Sequence, residues 1–429
     1  EAARVYFSYL PDGQKLRFDE ISVESKWVSG RLEGSAAINL TQGQRIEDLV
    51  GQFLLSDLRI NPLNFYPEPV EIPTAELDFR LKLKPFSIEL GRLEVLDQGQ
   101  RLTVNGMLGA GPHGWDVAVD ANMDGLSTSR LMALWPEVVE PKTRTWLREN
   151  VYAATLGNIN AALRMTGGER PQPFLGFEFS QGEARILKDL PPVKGAKGHA
   201  SLFQDRFVVI IEEGEIEADE GGIANAAGTS FIIPDTTIKP DPPAVVRLSG
   251  QGPVTAALSL LDQPPLEVMT KADLPVNIAA GQVKVTGTLA FPLRKKVPVE
   301  EITFDVNGHI NDMRSDTLIK DHVLSAPMLS LTVSEKSVAI SGKGDLDGVP
   351  FDVTWAQPLG VPGTPGQITG QIDLSQNTLD TFKIALPPGS LRGAAVGEIV
   401  VDLVPDAPPV LKIASDLRGL GLSVAPLSW

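Results

Sequence analysis

Short runs in which apolar and polar side chains alternate strictly recur along this chain of 429 residues. Leu77-Asp78-Phe79-Arg80-Leu81-Lys82-Leu83 and Val283-Lys284-Val285-Thr286-Gly287-Thr288-Leu289 are two of them. Ile302-Thr303-Phe304-Asp305-Val306-Asn307, Phe351-Asp352-Val353-Thr354-Trp355 and Leu411-Lys412-Ile413 are others. Successive side chains of a strand point to opposite faces, so each run predicts a strand with one apolar and one wet side. Turn residues close the runs every ~8–12 residues, the spacing of an antiparallel meander. Length alone would suggest about three domains, but no Ser/Gly linker or long charge block divides the chain. Proline-rich patches at 234–243, 358–365 and 405–409 are read as turns or edge breaks. The expectation from the pattern is a mainly β protein: a long, mostly antiparallel sheet with one apolar face and a short embedded helix pair. Its expected sections are 1–126, the helix pair at 127–157, and 158–429 continuing the same sheet.

Composition narrows what such a sheet can serve. Hydrophobic residues make up 42% of the chain, enough for a large core. The longest apolar stretches are short, such as Phe207–Ile211, well under the ~18 residues of a spanning helix. A net charge of −16 argues against nucleic-acid binding and against a polybasic membrane-surface binder. With no cysteine there is no disulfide framework, thiolate nucleophile or Cys-ligated metal. The start, Glu1-Ala2-Ala3-Arg4-Val5, goes straight into alternation without a signal peptide or initiator Met. The chain is therefore expected to be a piece of a longer protein whose anchor lies elsewhere.

One segment breaks the rhythm. Ser127-Thr128-Ser129 offers helix N-caps, and Leu131, Leu134, Trp135 and Val138 follow at helical spacing until Pro136 interrupts them. Pro141 suits the first turn of a second helix, with Thr143, Trp146, Leu147, Asn150 and Val151 on one stripe and Gly157 as the stop. Lys142, Arg144 and Arg148 are expected on the outward face, where a phosphate contact is conceivable and a solvated face is the plainer reading. The pair, anchored by Trp135 and Trp146, is expected to cover a sheet face or rim.

Chemistry-bearing motifs are scarce. Gly109-Ala110-Gly111-Pro112-His113-Gly114 matches a dinucleotide fingerprint by letter, but the strand-like Trp115–Val119 follows where a helix is required. A glycine-rich hairpin turn is the expected structure. His309 and His322 lie near Asp312, Asp316 and Asp321, at a spacing that fits no metal motif. The acidic run from Glu212 to Glu220 lacks a calcium-loop pattern and is read as a charged strand edge that resists pairing. No nucleophile elbow or phosphate-binding loop occurs. Among so many carboxylates a glycosidase pair can always be drawn, but stacking aromatics are thinly spread. No catalytic residue, metal site or cofactor is assigned.

A long one-sided sheet can be covered by a second sheet, close into a barrel, or curl into a gutter filled by another apolar molecule. Ordinary sandwich core explains the same alternation and is the plainer reading of the pattern alone. A gutter suits acyl chains, since each methylene withdrawn from water is worth ~0.8 kcal/mol and no catalytic group is needed. The candidate lipid contacts are Val283, Val285, Leu289, Ile302, Phe304, Val306, Val338, Ile340, Phe351, Val353, Ile399, Val401, Leu403, Leu411 and Ile413. Each is the apolar member of an alternating pair.

The helical interruption carries a resemblance. Leu134-Trp135-Pro136-Glu137-Val138-Val139, then Pro141 through Asn150 and Gly157-Asn158-Ile159, resembles YhdP-like proteins of the AsmA-like superfamily. Leu190-Pro191-Pro192 after a strand beginning at Phe177, and Ser415 to Leu422 followed by Pro426-Leu427, are further echoes. The resemblance implies an envelope protein of Gram-negative bacteria, anchored in the inner membrane and extending through the periplasm as an elongated, curled, mostly antiparallel β-sheet forming a hydrophobic groove. It implies phospholipids as cargo, moved between inner and outer membranes, with both membranes reached through parts of the protein outside this chain. It brings no catalytic residue, and any envelope protein partner is left open. A non-catalytic structural or assembly factor of the envelope is the first alternative, and a carbohydrate-active β-protein the second.

Overall fold

The computed structural model describes residues 2–42, 45–186, 188–359, 363–386, 389–404 and 407–423. Pro405, Pro426 and Leu427, which entered the reading above, lie outside them, as does part of the 358–365 patch. The protein is mainly β, and 23 strands hydrogen-bond into one sheet. Every described strand pair is antiparallel, as in β1 with β2 (Ala2–Leu10 with Lys15–Glu24). By internal contacts the chain divides into two units, one of Glu1–Ile186, Lys194–Glu212 and Ile232–Lys239, the other of Leu187–Val193, Glu213–Phe231 and Pro240–Trp429.

In the first unit a meander continues from β1 and β2 through β3 (Val28–Leu40), β4 (Ile46–Ile60), β5 (Val70–Leu83), β6 (Phe86–Asp97), β7 (Gln100–Gly111) and β8 (Gly114–Ser127). Helices α1 (Thr128–Leu134) and α2 (Pro141–Asn150) follow, then β9 (Val151–Met165), β10 (Gln172–Ala184), β11 (Val193–Phe203) and the first part of β12 (Arg206–Glu217). Register puts the apolar members of successive strands side by side: Phe7 opposite Phe18, Phe18 opposite Gly34, Gly34 opposite Phe53, Phe53 opposite Leu77 and Leu77 opposite Leu93. Phe7, Phe18, Phe53 and Phe79 form a row of rings with centroids 5.4–6.0 Å apart. Gly34 is required there. A Cβ would run into the carbonyl of Gln52 and stand 2.9 Å from Phe53 Cα, and φ is +157°. Only a residue without a Cβ lets the two backbones approach this closely. The opposite face is wet, with Arg92 reaching Glu76, Asp78 and Glu94, and Arg80 reaching Glu89. A small core of Leu58, Ala75 and Val95 lies toward one end of these strands.

Both expected helices form, with shorter limits. Ser127 caps α1 by accepting from Arg130 N–H, and Pro141 opens α2. The pair ends at Asn150 rather than near Gly157, because Ser127 on β8 already pairs with Thr155 on β9 and Gly125 with Gly157. Arg144 does not face solvent as expected. Its guanidinium donates to the carbonyls of Trp135 and Met132 at 3.1 Å, satisfying the open end of α1. Arg130 forks onto Asp97 at 2.8 Å, and the Tyr66 hydroxyl donates to Leu134 O. Trp146 is 43% exposed and so is not the expected buried anchor, while Leu131, Leu134, Trp135 and Leu147 are half-buried.

The second unit contains β13 (Ile223–Asn225), the start of β14 (Ser230–Ile233), β15 (Pro243–Pro253), α3 (Val254–Leu261), α4 (Val268–Lys271) and β16 (Ala280–Pro292). It continues through β17 (Thr303–Ser315), β18 (Leu324–Ser334), β19 (Ser337–Leu346), β20 (Val349–Pro358), β21 (Gly366–Leu374) and α5 (Gln376–Thr381). β22 (Leu391–Gly393), β23 (Ala395–Leu403), β24 (Val410–Ala414) and β25 (Leu420–Leu422) complete it, with β22 and β25 forming a separate small sheet. Helices α3, α4 and α5 have no counterpart in the alternation reading. The acidic run proves to be no edge, since Glu215, Ile216 and Glu217 pair with Asn225, Ala224 and Ile223. Pro112 and His113 form the expected tight turn between Gly111 and Gly114.

Candidate functional site

The candidate lipid contacts fall on β16 to β24, and strand register decides whether they share a face. One cross-strand row runs Val285, Gly308, Leu331, Ile340, Trp355, Ile368, Val401 and Leu411, each directly opposite the next. A second runs Val283, Ile310, Leu329, Gly342, Val353, Gly370, Ile399 and Ile413. A third joins Gly287, Val306, Val333 and Val338. Leu289 lies opposite Phe304, Phe351 opposite Ile372, and Leu403 opposite Gly366. Directly opposed residues share a face, and residues two apart on one strand share it too. All the candidates except Ile302 therefore stand on one side of the sheet. Ile302 precedes β17, closing a short 3-10 turn by donating its N–H to Val299 O.

This face is neither sealed nor fully open. Its side chains on β16, β17, β20 and β21 are half-buried, Ile399 is 9% exposed, and at β24 Leu411 and Ile413 are 57% and 48% exposed. One end is roofed. Val254 of α3 and Met269 of α4 form a buried cluster with Ile278, Ala279, Met313, Ala326 and Leu329, and Val283 and Ile340 pack against it. Those two candidates thus belong partly to ordinary core. Toward the same strand ends, Asn377 of α5 donates to Gly348 O, and the His322 ring lies 5.5 Å from Phe382. The roof is small. α3 has 8 residues and spans about 12 Å, whereas β15 to β24 at ~4.8 Å per strand extend on the order of 40 Å.

The other face is hydrophilic, carrying Lys284, Asp305, Asn307, Asp352, Thr354 and Gln371. There Gln367 and Lys412 donate to Asp402, and these hydrogen bonds, Gln367's first, hold its carboxyl below the usual range. The backbone N–H of Val323, followed by His322, does the same for Asp347. His322 pairs with Asp347 at 2.6 Å rather than with Asp316 or Asp321, and His199 meets Glu212 across strands. Among the described residues no group of three or more metal-ligating side chains comes together.

Several residues of the face escaped the sequence reading. Leu329, Leu331 and Val333 alternate, but Pro327 and the register shift before Met328 obscure their strand. Phe18, Phe53 and Phe79 give the first unit its own apolar row. Two depressions form on that unit, of about 410 and 790 Å³, and both lie mainly on its charged face. There the short side chains of Ser35 and Ala37 lie between Lys15 and Arg17 on one side and Asp78 and Arg92 on the other.

No family model, curated protein or solved structure matches this chain.

Proposed function

We propose that this chain is a section of a bridge-like lipid transfer protein of the Gram-negative envelope. Its apolar sheet face carries the acyl chains of phospholipids, and headgroups stay in water. In this reading it belongs to a YhdP-like, AsmA-like protein of the periplasm that is anchored in the inner membrane. The observation that carries the reading is the mismatch between the floor of β15 to β24 and its helical roof. A two-layer domain covers an apolar sheet face along its length, and here α3, α4 and α5 gather toward one end. The remaining rows stay half-exposed, a state that costs free energy unless an apolar molecule lies on them. The proposed mechanism is passive and non-enzymatic. The test is solvent extraction of the purified protein, followed by lipid mass spectrometry. Co-purified phospholipid supports the reading, and protein that is lipid-free both as purified and after incubation with phospholipid vesicles refutes it.

The two depressions on the charged face of the first unit favour a second reading, an envelope scaffold whose polar side recruits partners. In that case the apolar rows are internal packing, and charges introduced on them would unfold the protein without a separate effect on lipid.

A further inference from the structure

The elbow between α1 and α2 turns apolar side chains outward. Val138 is 63% exposed, the most of any large apolar residue among those described, and Val139 and Trp146 are exposed beside it. The carbonyls of the elbow, by contrast, are largely occupied from within. Leu131 O accepts from Trp135 N–H, Pro136 O from Val139 N–H and Glu140 O from Arg144 N–H. Met132 O and Trp135 O accept from the Arg144 guanidinium, Leu134 O from the Tyr66 hydroxyl, and Val139 O from the Trp135 indole at 2.7 Å. Backbone satisfied in this way can enter an apolar medium, which unpaired polar groups resist. The charges are arranged to match. Glu137 lies 3.7 Å from Arg144 and Glu140 lies 3.5 Å from Lys239, so both acids of the elbow are engaged. Lys142 and Arg148 flank Trp146 at exposed positions of α2 and have no ion pair among the described residues. Glu149 is the only acid within α2.

We propose that this elbow docks on the surface of a phospholipid bilayer. Val138 and Val139 enter the interfacial layer, Trp146 lies at headgroup depth, and Lys142 and Arg148 meet lipid phosphates. Trp with Lys or Arg beside aliphatic side chains is the composition that settles at a membrane–water interface. A merely solvated face would account for Lys142 and Arg148 but not for the outward Val138 and Trp146. The contact is mainly apolar with two local cations, and remote charges are screened within about 10 Å, so the net charge of −16 does not oppose it as it opposes a polybasic binder. The proposal goes beyond the lipid-carrying reading, which needs no bilayer contact within this chain, and is tested separately from it.

The chain has no cysteine, so Val138→Cys in the full chain offers a single thiol for an environment-sensitive nitrobenzoxadiazole label. Vesicles of phosphatidylcholine and phosphatidylglycerol are expected to shift its emission to the blue and raise it several-fold, and nitroxide-bearing acyl chains to quench it. The same label at Met107→Cys, exposed opposite Glu89, is expected to stay silent. In vesicle flotation, Val138→Asp combined with Val139→Asp is expected to weaken binding about tenfold or more at an unchanged melting temperature. Lys142→Ala combined with Arg148→Ala is expected to lose about tenfold on vesicles containing phosphatidylglycerol and little on pure phosphatidylcholine. A label at position 138 that ignores vesicles, or vesicle binding undiminished in the Val138 and Val139 variant, overturns the proposal, while solvent extraction still judges the lipid reading. A label that responds to protein concentration without vesicles assigns the elbow to a second copy of the chain and overturns it too.

Discussion

Gly370 on β21 lies on the apolar face between Val353 and Ile399, with φ at +149°, where only glycine is comfortable. A Cβ added there would run into the carbonyl oxygen of Asp352 and stand 2.7 Å from Val353 Cα. Ordinary contact begins near 3.4 Å, so the strands must part by about 0.7 Å or more. Both obstacles are backbone atoms of the neighbouring strand, so no side chain can swing aside. The backbone strain amounts to about 1–3 kcal/mol, and weakening one ladder hydrogen bond adds about 0.5–1.5 kcal/mol. Gly370→Ala should therefore cost about 2–4 kcal/mol, which for a unit near 200 residues lowers Tm by on the order of 10 °C. Gly250 on β15 is the matched control. It lies on the same face, has no positive φ, and an added Cβ would meet Val285 Cγ2 at an ordinary 3.4 Å. Gly250→Ala should be neutral or stabilising by up to about 1 kcal/mol. Thermal melts of the two variants, followed by circular dichroism, decide the matter. Equal melting temperatures would refute the argument that the close backbone approach at Gly370 requires glycine.

Leu411→Asp combined with Ile413→Asp should leave Tm within about 2 °C, since both side chains are 57% and 48% exposed, but should reduce bound phospholipid measured after extraction. Arg144→Ala should destabilise by about 2 kcal/mol in urea melts, because it strips charged donors from the Trp135 and Met132 carbonyls. Trp146→Ala, at a residue 43% exposed, should cost less than about 1 kcal/mol. Asp262 accepts from the Thr270 and Met269 backbone N–H groups, chiefly Thr270's, which hold its carboxyl below the usual carboxylate range. A depressed folded pKa stabilises above the unfolded value and is lost as pH falls through the folded one. Acidification through the carboxylate range should therefore lower the protection of α4 amides, measured as exchange relative to the intrinsic rate at each pH, and Asp262→Asn should show less of that loss.

Period-2 alternation made the floor legible because register follows from it. Once Val283, Val285 and Leu289 are assigned to one side of a strand, pairing with Phe304, Gly308 and Ile310 leaves the next strand little choice. Helices α1 and α2 were legible through Ser127 and Pro141, which act locally. Their end was not, because Val151 and Tyr152 extend as well as they coil, and pairing of β9 with β8 decides between the two. Val254-Thr255-Ala256-Ala257-Leu258-Ser259-Leu260-Leu261 carries no helix signal of its own, because a short apolar run fits a buried strand and a buried helix equally well. What makes it a helix is tertiary: Val254 and Leu258, four apart, settle on the cluster around Met313 and Leu329. The inward turn of Arg144 likewise depends on carbonyls of a different helix, which spacing within α2 cannot reveal.

A floor without a roof and a filled core can be separated by how affinity depends on chain length. A tail lying on the half-exposed rows loses water on one side only, so each methylene contributes about half of ~0.8 kcal/mol. A sixteen-carbon tail would then gain about 6 kcal/mol before ordering costs, which holds a lipid but lets it exchange. Lengthening the tail by two carbons adds about 0.8 kcal/mol, close to a fourfold change in Kd. A closed pocket would give about twice that increment and then a sharp loss once it is full. Lysophosphatidylcholines of ten to sixteen carbons, titrated as monomers, should therefore show a straight line of about 0.4 kcal/mol per methylene. A slope near zero means that the apolar rows do not touch the tail, and the lipid reading falls. A steep line that breaks means an enclosed cavity, and the open-floor reading falls, because the row of Val285, Leu331 and Ile368 is shared across neighbouring strands rather than gathered into one pocket.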